Sequence, residues 1–203
     1  MAELGNPKKD RKNMCGRYVL YSKEKFKKKY NININENYNI SPNQKVFVID
    51  QTRNVVKLKW GIKPEWKNSL IINARSETIG IKKSFASLKR CVFISDGYYE
   101  WKRSGKFKTP YYHYVQNRFL YFAGLYNNIG CVVVTMDSFQ YLSKVHRRQP
   151  LFLKENQIDS WIKNDKRNII FDELVNFHQV STEVNKTWCN SNDLIIEVED
   201  KVQ

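Results

Sequence analysis

Between residues 91 and 135 the chain carries five strand-length runs in close succession, at 91–95, 98–102, 111–115, 119–125 and 131–135. They are rich in Val, Ile, Tyr and Phe, and the dipeptides Ser104-Gly105 and Gln116-Asn117 fall where hairpin turns belong. Parallel strands need a crossover of a dozen or more residues between them. Runs this tightly spaced therefore pair as antiparallel neighbours. Further strands are expected at 45–49 and 55–60 around a turn at 51–54, with shorter ones at 69–72 and 177–180 and a weaker one at 194–198. Helical spacing is confined to 22–30, where Ser22 stands as a cap before Phe26 and Tyr30, and to 155–163, where Ile158, Trp161 and Ile162 share a face. Residues 31–39 are Asn-rich and read as a loop, and 74–81 as turns or helical coil. The fold class is α+β: curved, barrel-like antiparallel sheets with a few peripheral helices.

At 203 residues the chain has the size of one domain able to bury a core. Residues 1–13 are polar and aperiodic and read as a flexible leader, leaving 14–203 as the folded domain. No apolar run has the length of a membrane span, and no apolar signal segment opens the chain. The expectation is a soluble, non-secreted monomer, cytoplasmic and nucleoid-associated or nuclear according to its host. The four cysteines, Cys15, Cys91, Cys131 and Cys189, lie far apart without a CxxC pair, so a thiolate metal site is poorly supported and no cofactor is expected. Cys91 and Cys131 sit in apolar runs as buried strand residues.

Thirty-five Lys and Arg against twenty Asp and Glu give a net charge of +15, a field that attracts polyanions and nucleic acid first. A Lys-, Asn- and Ile-rich composition also arises in AT-rich genomes, so charge alone defines no site.

Four polar residues stand in apolar or aromatic surroundings, or at a position that changes their chemistry. Removal of Met14 gives Cys15 a free α-amine beside its thiol, and that pair closes with an aldehyde to a five-membered thiazolidine. An internal cysteine, whose nitrogen is an amide, does not. Asn73 ends the run Leu70-Ile71-Ile72, either as a functional amide or as a turn cap. Glu100 interrupts Gly97-Tyr98-Tyr99-Glu100-Trp101, either as an acid whose aromatic neighbours favour its protonated form or as a lysine-paired strand residue. His146, in Val145-His146-Arg147-Arg148-Gln149-Pro150, is a proton carrier or an ordinary loop histidine. His113 and His178, among aromatic residues, read as structural, and Trp60, Trp101 and Trp161 as core.

Met14-Cys15-Gly16-Arg17-Tyr18, Tyr38-Asn39-Ile40-Ser41-Pro42, Trp60-Gly61-Ile62-Lys63-Pro64, Asn73-Ala74-Arg75-Ser76-Glu77-Thr78, Gly97-Tyr98-Tyr99-Glu100-Trp101 and His146-Arg147-Arg148-Gln149-Pro150 occur in that order. The series, from Met14 to about Asn185, closely resembles the SRAP family, the SOS-response-associated peptidases. The resemblance implies a covalent trap for abasic sites in single-stranded DNA, formed through an N-terminal cysteine, with a possible self-directed peptidase activity. It implies Cys15 as nucleophile, Asn73 positioning its amine and thiol, and Glu100 and His146 moving protons. It gives Gly16, Arg17, Pro42, Trp66, Arg75, Glu77 and Arg148 to DNA: the three arginines to phosphates, Pro42 and Trp66 to neighbouring bases, and Glu77 to orienting Arg75. Two departures stand out. Arg147 follows His146 where many members carry an acidic residue, and thirteen residues precede Met14, so the reading requires translation from Met14 or processing to Cys15. A non-covalent reader of single-stranded or modified DNA is the alternative. A cysteine peptidase acting in trans is less favoured, because nothing marks an oxyanion hole.

Overall fold

The closely spaced runs at the centre of the chain become the spine of two sheets. The structure, a computed structural model, describes residues 16–65, 68–165 and 169–198. The larger sheet contains β3 (Lys45–Ile49), β4 (Val55–Lys59), β5 (Asn73–Arg75), β6 (Lys89–Ser95), β9 (Leu120–Tyr126), β10 (Cys131–Asp137), β11 (Arg148–Pro150) and β12 (Phe152–Leu153). The smaller runs in the order β13 (Asn176–Gln179), β8 (Phe107–Tyr114), β7 (Gly97–Ser104), β1 (Arg17–Leu20), β2 (Asn37–Ile40). Pairing is antiparallel throughout these strands except β5 with β10, which is parallel. Both sheets keep open edges, so the expected antiparallel architecture holds without closing into a barrel. Three short α-helices, α1 (Lys23–Tyr30), α2 (Lys83–Ala86) and α3 (Ile158–Ile162), lie among the described residues.

The chain passes from one sheet to the other at Asp96, between β6 and β7. The Asp96 carboxylate is buried, and its Oδ2 accepts the backbone N–H groups of Tyr21 at 2.7 Å and Ser22 at 2.8 Å. Ser22 does precede α1, but its own side chain makes no capping hydrogen bond. The anion that meets the helix start comes instead from the sheet crossover, which ties α1 to the β6–β7 junction. Gly97 follows because nothing larger fits: a Cβ there would lie 2.5 Å from the His113 carbonyl oxygen.

The core lies between the sheets. Tyr18 and Tyr98 of the smaller sheet meet Phe122 of the larger edge-on, with centroids 6.2 and 5.8 Å apart, and Trp60 packs on Tyr18 at 5.4 Å. Cys91 and Cys131 are fully buried, as their apolar runs imply, and burial raises both thiols well above the usual thiol range. His113 is also buried, stacked on Tyr98 and Phe177, with Nδ1 3.2 Å from the Tyr111 carbonyl oxygen.

Some local expectations shift. The Asn-rich segment yields strand β2 at its end, because Leu20 and Tyr18 of β1 pair with Asn37 and Ile40. The strand expected at 69–72 falls later: Ile71 makes only a bridge to Ile62, and the pairing that forms a strand, to β10, starts at Asn73. The weak strand at 194–198 is largely a 3-10 turn over Asn192–Ile195, with Glu197 bridging Val180.

One polar node fastens the turn after β5 to β10 and β11. The Arg148 guanidinium is almost wholly buried, donates to both Glu77 carboxylate oxygens at 2.7 and 3.0 Å, and also reaches Asp137 Oδ1 at 2.6 Å and the Thr135 carbonyl at 2.7 Å. Those hydrogen bonds from Arg148 hold the Glu77 carboxyl below the usual carboxylate range. Hydrogen bonds to charged groups contribute about 1.5–3 kcal/mol each. Glu77→Ala is accordingly expected to lower unfolding free energy by about 2 kcal/mol in urea titration, whereas Arg75→Ala leaves it unchanged.

Burial pushes the His113 imidazole down to about 3 from 6.5. Between those values the unfolded chain holds a proton that the folded chain refuses, so stability falls as pH drops, by about 1.4 kcal/mol per pH unit for this group. His113→Phe keeps the ring stack and removes the titration. Its urea midpoint is expected to fall less steeply than that of the unsubstituted protein on going from pH 6.5 to pH 4.

A candidate active-site cleft at the start of the first strand

β1 pairs with β7 so that Arg17 faces Tyr99 and Tyr18 faces Tyr98. β7 runs on past that point to Ser104, while β1 begins at Arg17. The chain's entry into the sheet therefore lies beside Glu100. A cleft of about 330 Å³ opens there, lined by Gly16, Arg17, Pro42, Ile72, Glu100, Trp101, Arg103, Lys108, His146 and Asn185.

Glu100 is 3% exposed, on the strand position facing Tyr111. Its Oε1 accepts the Trp101 N–H at 3.1 Å, and its Oε2 lies 3.9 Å from His146 Nδ1. His146 sits in the turn before β11, held by the backbone of Arg148: its Nδ1 is 3.0 Å from that residue's carbonyl oxygen and 3.1 Å from its N–H. A neutral Nδ1 accepts from the N–H and a protonated one donates to the carbonyl, so either protonation state keeps a partner. A carboxyl and an imidazole lining one half-open cleft are groups of the kind that proton transfer uses.

Arg17 also lines the cleft. Its Nη1 donates to Asn39 Oδ1 at 2.7 Å and to the Val184 carbonyl at 2.8 Å, both uncharged acceptors. Its Nε has no hydrogen-bond partner among the described residues. Burial lowers its pKa, opposed by nearby Tyr99. A half-buried guanidinium fixed by neutral groups keeps its charge for an incoming anion.

Of the residues singled out from the sequence, Gly16, Arg17, Pro42, Glu100 and His146 come together in this cleft. Asn73 directly follows Ile72 of its wall and opens β5. The Trp60 indole N–H donates to the Ile72 carbonyl at 3.2 Å, so the Trp-Gly motif steadies the backbone that presents Asn73. Arg75 pairs with Thr135 at the other end of β5 and does not line the cleft. Arg148, expected to hold a phosphate, has its guanidinium buried between Glu77 and Asp137 and does not line the cleft. Glu77 lies in the turn beyond the end of β5 and not on a strand face shared with Arg75, and its carboxylate accepts hydrogen bonds from Arg148. Cys15 and Trp66 lie outside the described residues. Trp60 and Trp161 are core, as expected, but Trp101 is only partly buried. It lines the cleft, its indole N–H donating to Asn185 Oδ1 at 2.8 Å.

Sequence reasoning missed Arg103, Lys108 and Asn185. A turn centred on Ser104-Gly105 would set Arg103 against Lys106. The turn is instead Gly105-Lys106, closed by Ser104 facing Phe107, and the shift sets Arg103 opposite Lys108. The available signal was Gly105 itself, whose φ of +56° suits the first turn position. Among the described residues, no three His, Cys, Asp or Glu side chains are grouped to hold a metal ion, and no helix is long and apolar enough to cross a membrane.

Comparison with known proteins identifies the family and the fold. The family model for SOS response associated peptidase (SRAP) matches residues 14–187. The chain is 30% identical to "Abasic site processing protein YoaM" of Bacillus subtilis, across 90% of this chain and 97% of that protein. It is 28% identical to "Abasic site processing protein HMCES" of Xenopus tropicalis, across 83% of this chain and 65% of that protein. A crystal structure of a protein from Bacteroides thetaiotaomicron superposes with a TM-score of 0.76 at 21% identity, covering 91% of this chain and all of that one, a likeness of fold. With the family model spanning most of its length and a relative at this identity covering nearly all of it, the chain belongs to the SRAP family.

Proposed function

We propose that this protein processes abasic sites in single-stranded DNA by trapping the ring-opened sugar on an N-terminal Cys15. The observation that carries the reading is the meeting of Gly16, the residue next after Cys15, with Glu100 and His146 in one cleft. The names of the relatives, abasic site processing proteins in Bacillus subtilis and Xenopus tropicalis, support the same substrate.

In the proposed reaction the Cys15 α-amine adds to the aldehyde carbon of the opened deoxyribose and gives a carbinolamine. Glu100, protonated, gives its proton to the carbinolamine hydroxyl, which leaves as water, and the nitrogen lone pair forms the imine. The Cys15 thiolate then adds to the imine carbon, and the C=N electron pair returns to nitrogen with a proton. The thiazolidine that results joins protein to DNA with net loss of one water. His146, beside Glu100, passes protons between that carboxyl and the sugar, including at ring opening. Arg17 and Arg75 serve flanking phosphates, and Asn73 the amine and thiol of Cys15. Pro42 and Trp66 take bases beside the gap. Release of its own leader by hydrolysis, at the bond before Cys15, is the self-directed peptidase part of the same proposal.

The chemistry requires a free amine at Cys15, which separates this reading from non-covalent binding. Protein beginning at Cys15 is expected to give a shifted band with an abasic single-stranded oligonucleotide on a denaturing gel, and Cys15→Ser none. A complex that only salt dissolves and denaturant destroys would instead identify a non-covalent reader. Removing a general acid costs about 100-fold or more in rate, so Glu100→Gln is expected to slow crosslinking by about that factor while oligonucleotide affinity changes less than about threefold. Equal loss of rate and affinity would take the acid role from Glu100.

A further inference from the structure

The hairpin formed by β7 and β8 carries a charge pattern that the fold does not use. Arg103 and Lys108 face each other across the two strands, and Lys102 and Lys106 lie beside them. All four are exposed, and none forms an ion pair with a carboxylate among the described residues. Some exposed cations elsewhere are matched, Lys23 with Glu36, Arg118 with Glu173 and Lys186 with Glu183, so what sets Arg103 and Lys108 apart is their place in the cleft lining. Like charges directly opposite on a sheet destabilise it. The Arg103–Lys108 pair is thus a local cost to the hairpin, as Lys45 facing Lys59 is to β3 and β4, but of the two pairs only Arg103 and Lys108 line the cleft.

Both members of that pair line the cleft, on the strand face shared by Trp101 and its partner Pro110. Lys102, opposite Thr109, belongs to the other face. We propose that Arg103 and Lys108 form a phosphate clamp that carries the bound single strand outward from the lesion pocket along the hairpin, an extension of the binding track beyond Arg17. The identity of the strand rests on the abasic-DNA reading given above. Charge selects the partner: two unpaired cations at the mouth of a cleft that already holds a half-buried, unneutralised Arg17 suit a continuous polyanion better than a single anionic group.

The test separates a track from a diffuse field. Fluorescence anisotropy of a labelled, undamaged oligothymidylate is followed across a salt series with the whole chain, its R103A/K108A variant and a K102A/K106A variant of equal charge loss. For single strands each phosphate contact contributes about 0.7 to the slope of log affinity against log salt. R103A/K108A is expected to reduce the slope by about 1.4, and K102A/K106A to leave it close to that of the parent. Equal reductions in both variants would show general attraction to a basic surface and overturn the clamp, as would an unchanged slope in R103A/K108A. Loss of polyglutamate binding with oligonucleotide binding intact would assign the hairpin to an acidic protein and overturn it equally. The covalent band formed with an abasic oligonucleotide is scored separately on unsubstituted protein beginning at Cys15. Its absence alongside a face-specific slope would remove the trapping chemistry and keep the clamp.

Discussion

The antiparallel pairing of β1 with β7 is the constraint from which the rest of the site follows. Because Arg17 pairs with Tyr99, the chain must enter the smaller sheet next to Glu100. Three buried features hold that register. Tyr18 is locked among Trp60, Phe93 and Phe122; the Asp96 carboxylate gathers the backbone N–H groups that follow β1; and Gly97 lets β7 press against β8. A one-residue slip would turn every side chain of β1 to the wrong face. It would expose Tyr18 and withdraw Arg17 from Asn39. The core thus fixes where Gly16 and Arg17 meet Glu100 and His146.

Around that register, polar side chains are divided between holding and acting. Asn39, Asp96 and Arg148 are buried and spend their hydrogen-bonding capacity on backbone and carboxylate partners. The Asn39 amide N–H group reaches the carbonyls of Lys186 and Cys189 at 2.9 and 2.8 Å, which pins the segment carrying Asn185 against the cleft. Arg17, Glu100 and His146 line the cleft, with Arg17 held by Asn39 and the Val184 carbonyl and His146 by the backbone of Arg148. Buried polar groups fully satisfied by one another give rigidity. On the proposed reading, that rigidity orients a small reactive sugar.

Much of this architecture was legible in the residues because antiparallel strands leave local marks. Short β-branched and aromatic runs separated by turn residues gave the central strands, and the helices at either end appeared through their apolar spacing. Non-local pairing was harder to read. Nothing local to Asn73 reveals a parallel partner in β10, so the strand expected at 69–72 stops short of it, and nothing local to Arg148 reveals Glu77 and Asp137 as its partners. Trp101 reads as core from its composition, but its side falls where β1 has ended and the cleft begins. The hairpin register turned on whether Ser104 or Gly105 opens the turn, a difference of one residue that conceals the facing of Arg103 and Lys108. The ordered motifs located the site as a whole; the individual roles of arginines depended on carboxylates far along the chain.

The central claim is that the nitrogen of residue 15 becomes bonded to the sugar carbon of damaged DNA. Intact mass measurement of the product of Cys15-initiated protein with an abasic oligonucleotide, followed by peptide mapping, addresses it directly. The account predicts a mass equal to protein plus oligonucleotide less one water, with the adduct on the N-terminal peptide. An adduct mapped to a lysine, or one formed equally by protein in which a peptide bond still precedes Cys15, would contradict it.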